Sequence, residues 1–160
     1  MYIPKQYEEK DVSEIKALIA EFGFATLVST KDGKPWATHL PLQLQTVDDG
    51  TWVLQGHIAR SNPQWRNFEE GKEVLAIFMG PHTYVSPSWY DAPNVPTWNY
   101  MAVHVYGAVE ILTGEDLKNM LRELMARYEN THAEQSLHFD DMPDDLLQKD
   151  LNGLVGFKIK

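Results

Sequence analysis

The chain has 160 residues, 43% hydrophobic and 23% charged, with 23 acidic against 14 basic residues and a net charge of −9. That balance describes one globular domain with a sizeable core. The lack of cysteine excludes disulfides, thiolate catalysis and cysteine-based zinc sites, and fits a reducing cytoplasm. The acidic excess, with no densely basic window, disfavours direct nucleic-acid binding. No apolar run approaches the roughly 20 residues of a membrane span, and residues 1–5 do not open a signal peptide.

Residues 11–23 read as an amphipathic helix. Val12, Ile15, Leu18, Ile19 and Phe22 recur at three- and four-residue steps, Asp11 can cap and Gly23 ends it. Residues 24–30 make a strand closed by Asp32-Gly33, a strong hairpin signal. The return strand runs over 36–47, where Pro41 implies an edge position or a bulge. Asp48-Asp49-Gly50 turns the chain into a third strand that ends at Gly56. Asn62 then offers a helix N-cap, Pro63 the first helical position and Gly71 a stop. A helix start leaves N–H groups unpaired and attracts anions, and Arg60 beside it suits phosphate or carboxylate. Taken alone, the segment reads more simply as a capped surface helix with a solvated arginine.

Residues 73–80 form a buried strand that Pro81 breaks, and His82 begins another. Residues 87–96, rich in proline and aromatics, are a loop. One long strand spans 97–113, with Gly107 marking a bend or close approach. A second amphipathic helix covers 114–130, with Leu117, Leu121, Leu124 and Tyr128 on one face. Residues 131–150 are acidic and loop-like, with a short helix over 143–150, and 154–159 is a last strand. Six or seven strands joined by hairpins, with helices at the margins, predict a mainly β fold. The expected architecture is a small antiparallel barrel in a single domain, 1–160.

The histidines at 39, 57, 82, 104, 132 and 138 show no His-Glu-x-x-His pairing, and 132 and 138 fall in the acidic loop. They read as structural, with no metal site. No serine sits in a nucleophile elbow, so any chemistry would be a cofactor's. Among the aromatics, Trp98 and Tyr100 share one strand face and Asn99 takes the other. Trp98 is the favoured ring contact.

Six segments together resemble a known family. They are Met-Tyr-Ile-Pro-Lys at 1–5, Ala-Thr-His-Leu-Pro-Leu at 37–42 and Gly-His-Ile-Ala-Arg-Ser-Asn-Pro-Gln-Trp at 56–65. Gly-Pro-His-Thr-Tyr-Val-Ser-Pro-Ser-Trp-Tyr at 80–90, Val-Pro-Thr-Trp-Asn-Tyr-Met-Ala-Val-His-Val-Tyr-Gly at 95–107 and Leu-Val-Gly-Phe-Lys-Ile at 154–159 complete the set. In this order they are similar to the PaiB-type FMN-binding transcriptional regulators, which have a split-barrel flavin-binding fold.

The resemblance implies a homodimer with FMN at the subunit interface. The strand at 37–42 would pass along the isoalloxazine ring, with Thr38, His39 and Leu40 offering backbone groups to the ring edge. The turn at 56–65 would take the phosphate through Arg60 and Ser61, with Asn62 and Gln64 nearby. His57 of the same motif joins the cofactor-binding set, and the partner subunit would contribute from 98–100, Trp98 foremost. The implied role is a cytoplasmic regulator that senses flavin, redox state or a small metabolite. The competing readings are an FMN-dependent oxidoreductase with a nicotinamide donor, and a split barrel without flavin that serves a structural or interaction role. Family members usually continue past the strand matched here into a basic tail, which this chain is expected to lack.

Overall fold

In the computed structural model, which describes residues 1–47, 50–68, 72–132 and 137–160, the Asp32-Gly33 turn sets the first strand pairing. Both residues have positive φ, 50° and 75°, the combination that lets a two-residue turn follow the strand twist. The turn joins β1 (Phe24–Lys31) to β2 (Lys34–Thr46), with Lys31 opposite Lys34. The other strands are β3 (Trp52–Ala59), β4 (Glu73–Val85), β5 (Thr97–Leu112) and β6 (Leu154–Ile159). Among the described residues these six close in the order β1-β2-β3-β6-β5-β4, and every neighbouring pair is antiparallel. The expected antiparallel barrel is therefore present.

Alternation along each strand fills the barrel. Leu27, Leu42, Leu54, Phe78, Phe157 and Ile159 are all at most 2% exposed and belong to one cluster. Each such side chain contributes about 1.5–3 kcal/mol on burial. Helix α1 (Val12–Glu21) lays Leu18 and Ile19 on this core, and Asp11 caps it by accepting from the Ser13 N–H at 2.8 Å. Helices α2 (Gly114–His132) and α3 (Asp144–Gly153) form an outer layer on the barrel wall, where Leu117, Met120 and Leu124 pack with Leu151. A Cβ on Gly156 would stand 2.4 Å from Leu117 Cδ1, so this glycine lets α2 lie close to β6. Gly107 is a genuine close approach. A Cβ there would fall 2.1 Å from the Lys160 carbonyl oxygen, next to the backbone bonds exchanged by Ala108 and Lys160.

Several expectations need correction. Pro81 does not end a strand: β4 runs through it, and the ladder with β5 shifts register between Met79 and His82. The missing proline N–H falls within this irregularity. The third strand continues past Gly56 to Ala59, because Ile58 still points into the core and His57 pairs with Gly156. Residues 63–67 form a 3-10 helix of five residues, capped at Phe68. The expected stop at Gly71 and the Asp48-Asp49 half of the second turn lie outside the described residues. His132 belongs to α2 and not to the acidic loop, and α3 extends to Gly153. Pro41 sits where the β2 ladder passes from β1 to β3, the edge-like position it implies.

Candidate cofactor site

The split in the barrel begins on β2. Residues 34–41 pair with β1, whereas the ladder with β3 starts only at Leu42. Among the described residues, 36–40 therefore have one ladder partner, on β1, and no strand along their other edge. Leu40 is buried in the core, so only its backbone can meet a ligand. The His39 Nδ1 lies 2.9 Å from Thr26 Oγ1, and its ring stacks on Phe24 at 6.5 Å. Thr38 points to the other face, where its Oγ1 accepts from Asn62 Nδ2 at 2.8 Å.

That bond joins β2 to the turn after β3. Asn62 Oδ1 also accepts from the Gln64 N–H at 3.0 Å, which is the predicted cap. Gln64 is fully buried, and its Nε2 reaches the carbonyls of Leu27 and Trp36 at 3.0 and 3.1 Å. Thr38, Asn62 and Gln64 thus form one hydrogen-bonded unit. A 3-10 turn this short, with its first free N–H already taken by Asn62, gives no dipole worth invoking, so the anion argument rests on side chains.

Arg60 is held from the opposite side. Its Nε donates to the Asn152 carbonyl at 2.9 Å and its Nη2 to the Leu154 carbonyl at 2.7 Å, while its own N–H donates to Gly153. Among the described residues two of the five guanidinium N–H groups are used, and three face no protein acceptor. The carbonyl of Arg60 accepts from Trp65 Nε1 at 2.9 Å, which fixes the turn's backbone. Ser61 is exposed beside it.

His57 and Trp98 lie elsewhere. Leu54 and Ile58 point into the barrel, so His57 points outward, beneath α2 and α3. Burial lowers its pKa, so the ring is biased to neutral, and Nδ1 has no partner among the described residues. Trp98 is 60% exposed in a ribbon of 81–85 and 97–101, with Tyr84 edge-on at 6.0 Å and His82 at 6.3 Å. The structure thus unites Thr38, Asn62 and Gln64, places Arg60 and Ser61 next in the same turn, and leaves His57 and Trp98 apart from them. Sequence reasoning missed Asn152 and Leu154, whose contribution is a backbone carbonyl and carries no side-chain signature. His82 and Tyr84 were findable, since they share a face two residues apart.

The donor set fits a flavin mononucleotide. A permanent cation with three N–H groups unused among the described residues and an exposed hydroxyl suit the phosphate, and a strand edge without a second strand suits the alternating donors and acceptors of a flavin ring.

A closed six-stranded antiparallel barrel, opened along one β2 edge and flanked by helices, defines a protein of the flavin-binding split-barrel class. A family model described as "Putative FMN-binding domain" matches residues 1–160. The chain belongs to this PaiB-type FMN-binding family, and its cofactor is FMN. It is 46% identical over 160 residues to the protease synthase and sporulation protein PAI 2 of Bacillus subtilis, covering all of this chain and 76% of that one. An uncharacterized protein of Saccharomyces cerevisiae is 31% identical over 159 residues, covering 84% of this chain and 94% of its own. Among solved structures, the flavocytochrome Anf3 of Azotobacter vinelandii superposes with a TM-score of 0.70 at 13% identity, over 99% of this chain and 68% of that one. A FAD- and heme-binding protein of Mycobacterium smegmatis gives 0.69 at 16% identity, over 94% of this chain and 66% of that one. These two likenesses establish the fold. Among the described residues, no helix is long and apolar enough to cross a membrane.

Proposed function

We propose that the protein is a cytoplasmic, homodimeric FMN sensor that reports flavin occupancy, redox state or a small metabolite to a regulatory partner. The observation that carries this reading is the Thr38–Asn62 bond, which joins the open β2 edge to the turn bearing Arg60 and Ser61. Ring and phosphate groups of one ligand can be read by that single unit. Thr38, His39 and Leu40 would offer backbone groups to the ring, and Arg60 and Ser61 would hold the phosphate. Asn62 and Gln64 would keep the two halves in register. FMN, when bound, would supply the electron-accepting ring.

The homodimer reading is supported by exposed apolar groups. Tyr84, Trp98 and Tyr100 are 45–60% exposed on one face of the β4–β5 ribbon, the kind of patch that marks an interface. In this arrangement Trp98 would reach the partner's flavin and not its own. The relative is named a protease synthase and sporulation protein, and the link to sporulation favours a regulatory role over a metabolic one. With a net charge of −9, that role is better served by protein contacts than by direct DNA binding.

Purification followed by flavin release on denaturation tests occupancy. Steady NADH or NADPH oxidation with FMN added would replace the sensor by an FMN-dependent oxidoreductase with a nicotinamide donor. A folded protein that takes up no FMN would leave a barrel with a structural or interaction role.

A further inference from the structure

A groove of about 390 Å³ is bounded by α2, α3, the adjoining ends of β5 and β6, and Arg60. Leu117 and Leu151 give it apolar surface, and Gln148 and Asn152 line it from successive turns of α3. Its charged groups are Arg60 and Lys118. Among the described residues no carboxylate lines it, although 23 of the 160 residues are acidic and the chain carries −9. In so acidic a chain, a groove walled by two cations and no acid is selective for an anion. The Arg60 guanidinium is fixed at the wall, because its Nε and Nη2 donate to the carbonyls of Asn152 and Leu154, which themselves line the groove. Lys118 is half-buried, and its carboxylate partner Glu115 stands 3.6 Å away with a side chain 67% exposed. Such a pair is loose and screened by water, and the ammonium keeps donors for a ligand.

We propose that this groove binds a small organic carboxylate, its charge held between Arg60 and Lys118 and its apolar body laid on Leu117 and Leu151. An apolar cavity of roughly 150 Å³ accepts benzene, so the space takes a body of two fused rings. The site supplies the metabolite class for the sensor reading above, and its link to FMN rests on that reading. A carboxylate on Arg60 takes donors that the FMN phosphate would otherwise use, so the two ligands oppose one another.

Calorimetric titration of the FMN-loaded protein with 2-naphthoate and with 2-naphthamide, the same body without the charge, tests the site. The expected result is saturable naphthoate binding at one site per chain, with the amide at least about 10-fold weaker, the worth of one charged hydrogen bond. Lys118→Glu and Gln148→Glu each place a carboxylate in the groove, and each should erase the preference for naphthoate, with circular dichroism as the check on folding. Saturating naphthoate should also raise the Kd for FMN several-fold. Absence of naphthoate binding, equal affinity for acid and amide in the wild type, or an undiminished preference in the folded variants would overturn the proposal. Naphthoate binding that obeys both variants yet leaves the FMN Kd unchanged would uphold the groove and count against Arg60 as the holder of the FMN phosphate.

Discussion

Arg60 and His57 stand three residues apart on one segment yet face different environments, and their expected phenotypes differ accordingly. Arg60 has two donors on carbonyls of the α3–β6 junction and, among the described residues, three to spare. Arg60→Ala should weaken FMN by about 1.5–3 kcal/mol, a roughly 10- to 150-fold rise in Kd. It should also lower stability, because the carbonyls of Asn152 and Leu154 lose their partner. Unchanged flavin affinity in the folded variant would remove Arg60 from the phosphate site. His57 instead carries a pH effect. Its pKa is lowered in the folded state from an ordinary 6.5, so below that pH the unfolded chain binds the extra proton. Its contribution is complete above about pH 6.5 and is lost as the pH falls. His104 shifts in the same direction through burial and the nearby N-terminal charge, so it adds to the trend. Urea midpoints should decline on acidification through this range, and His57→Gln should flatten part of that decline. Identical profiles for the two proteins would contradict the assignment.

At the level of elements, the strands were readable wherever a side chain alternates between core and surface. The Asp32-Gly33 hairpin, the Asp11 cap and the Asn62 cap follow from local chemistry and are all present. Pro81 misled because a proline punctuates a sequence more sharply than it punctuates a ladder that can shift register around it. The length of β3 was underread because Gly56 looks like an ending. Yet Leu54 and Ile58, flanking His57 on the core face, already signal both the longer strand and the outward direction of that histidine. Gly107 gives the sharpest test at this scale, since a methyl group there meets backbone and not a flexible side chain. Gly107→Ala should cost about 1–3 kcal/mol through displacement of the β6 end, measured by chemical denaturation. A neutral outcome would mean that the backbone at Lys160 can move away freely.

Over the whole molecule, barrel closure was the part least legible. The β3–β6 and β6–β5 pairings join residues about 100 and 50 positions apart in the chain, and no local signal encodes such partners. The family resemblance supplies what periodicity does not, since it unites the motifs at 37–42 and 56–65 that the Thr38–Asn62 bond joins in space. Assembly belongs to this scale too. Light scattering should give twice the chain mass, and Trp98→Asp should shift the protein toward monomer and weaken FMN together. A monomeric wild type that binds FMN fully would separate the ribbon from the site. The most direct test of the central claim is a paired titration of the apoprotein with FMN and with riboflavin, which differ by the phosphate alone. FMN should bind at least about 10-fold more tightly, and Arg60→Ala should collapse that preference. Equal affinities for the two flavins in the wild type, or an undiminished preference in the variant, would contradict it.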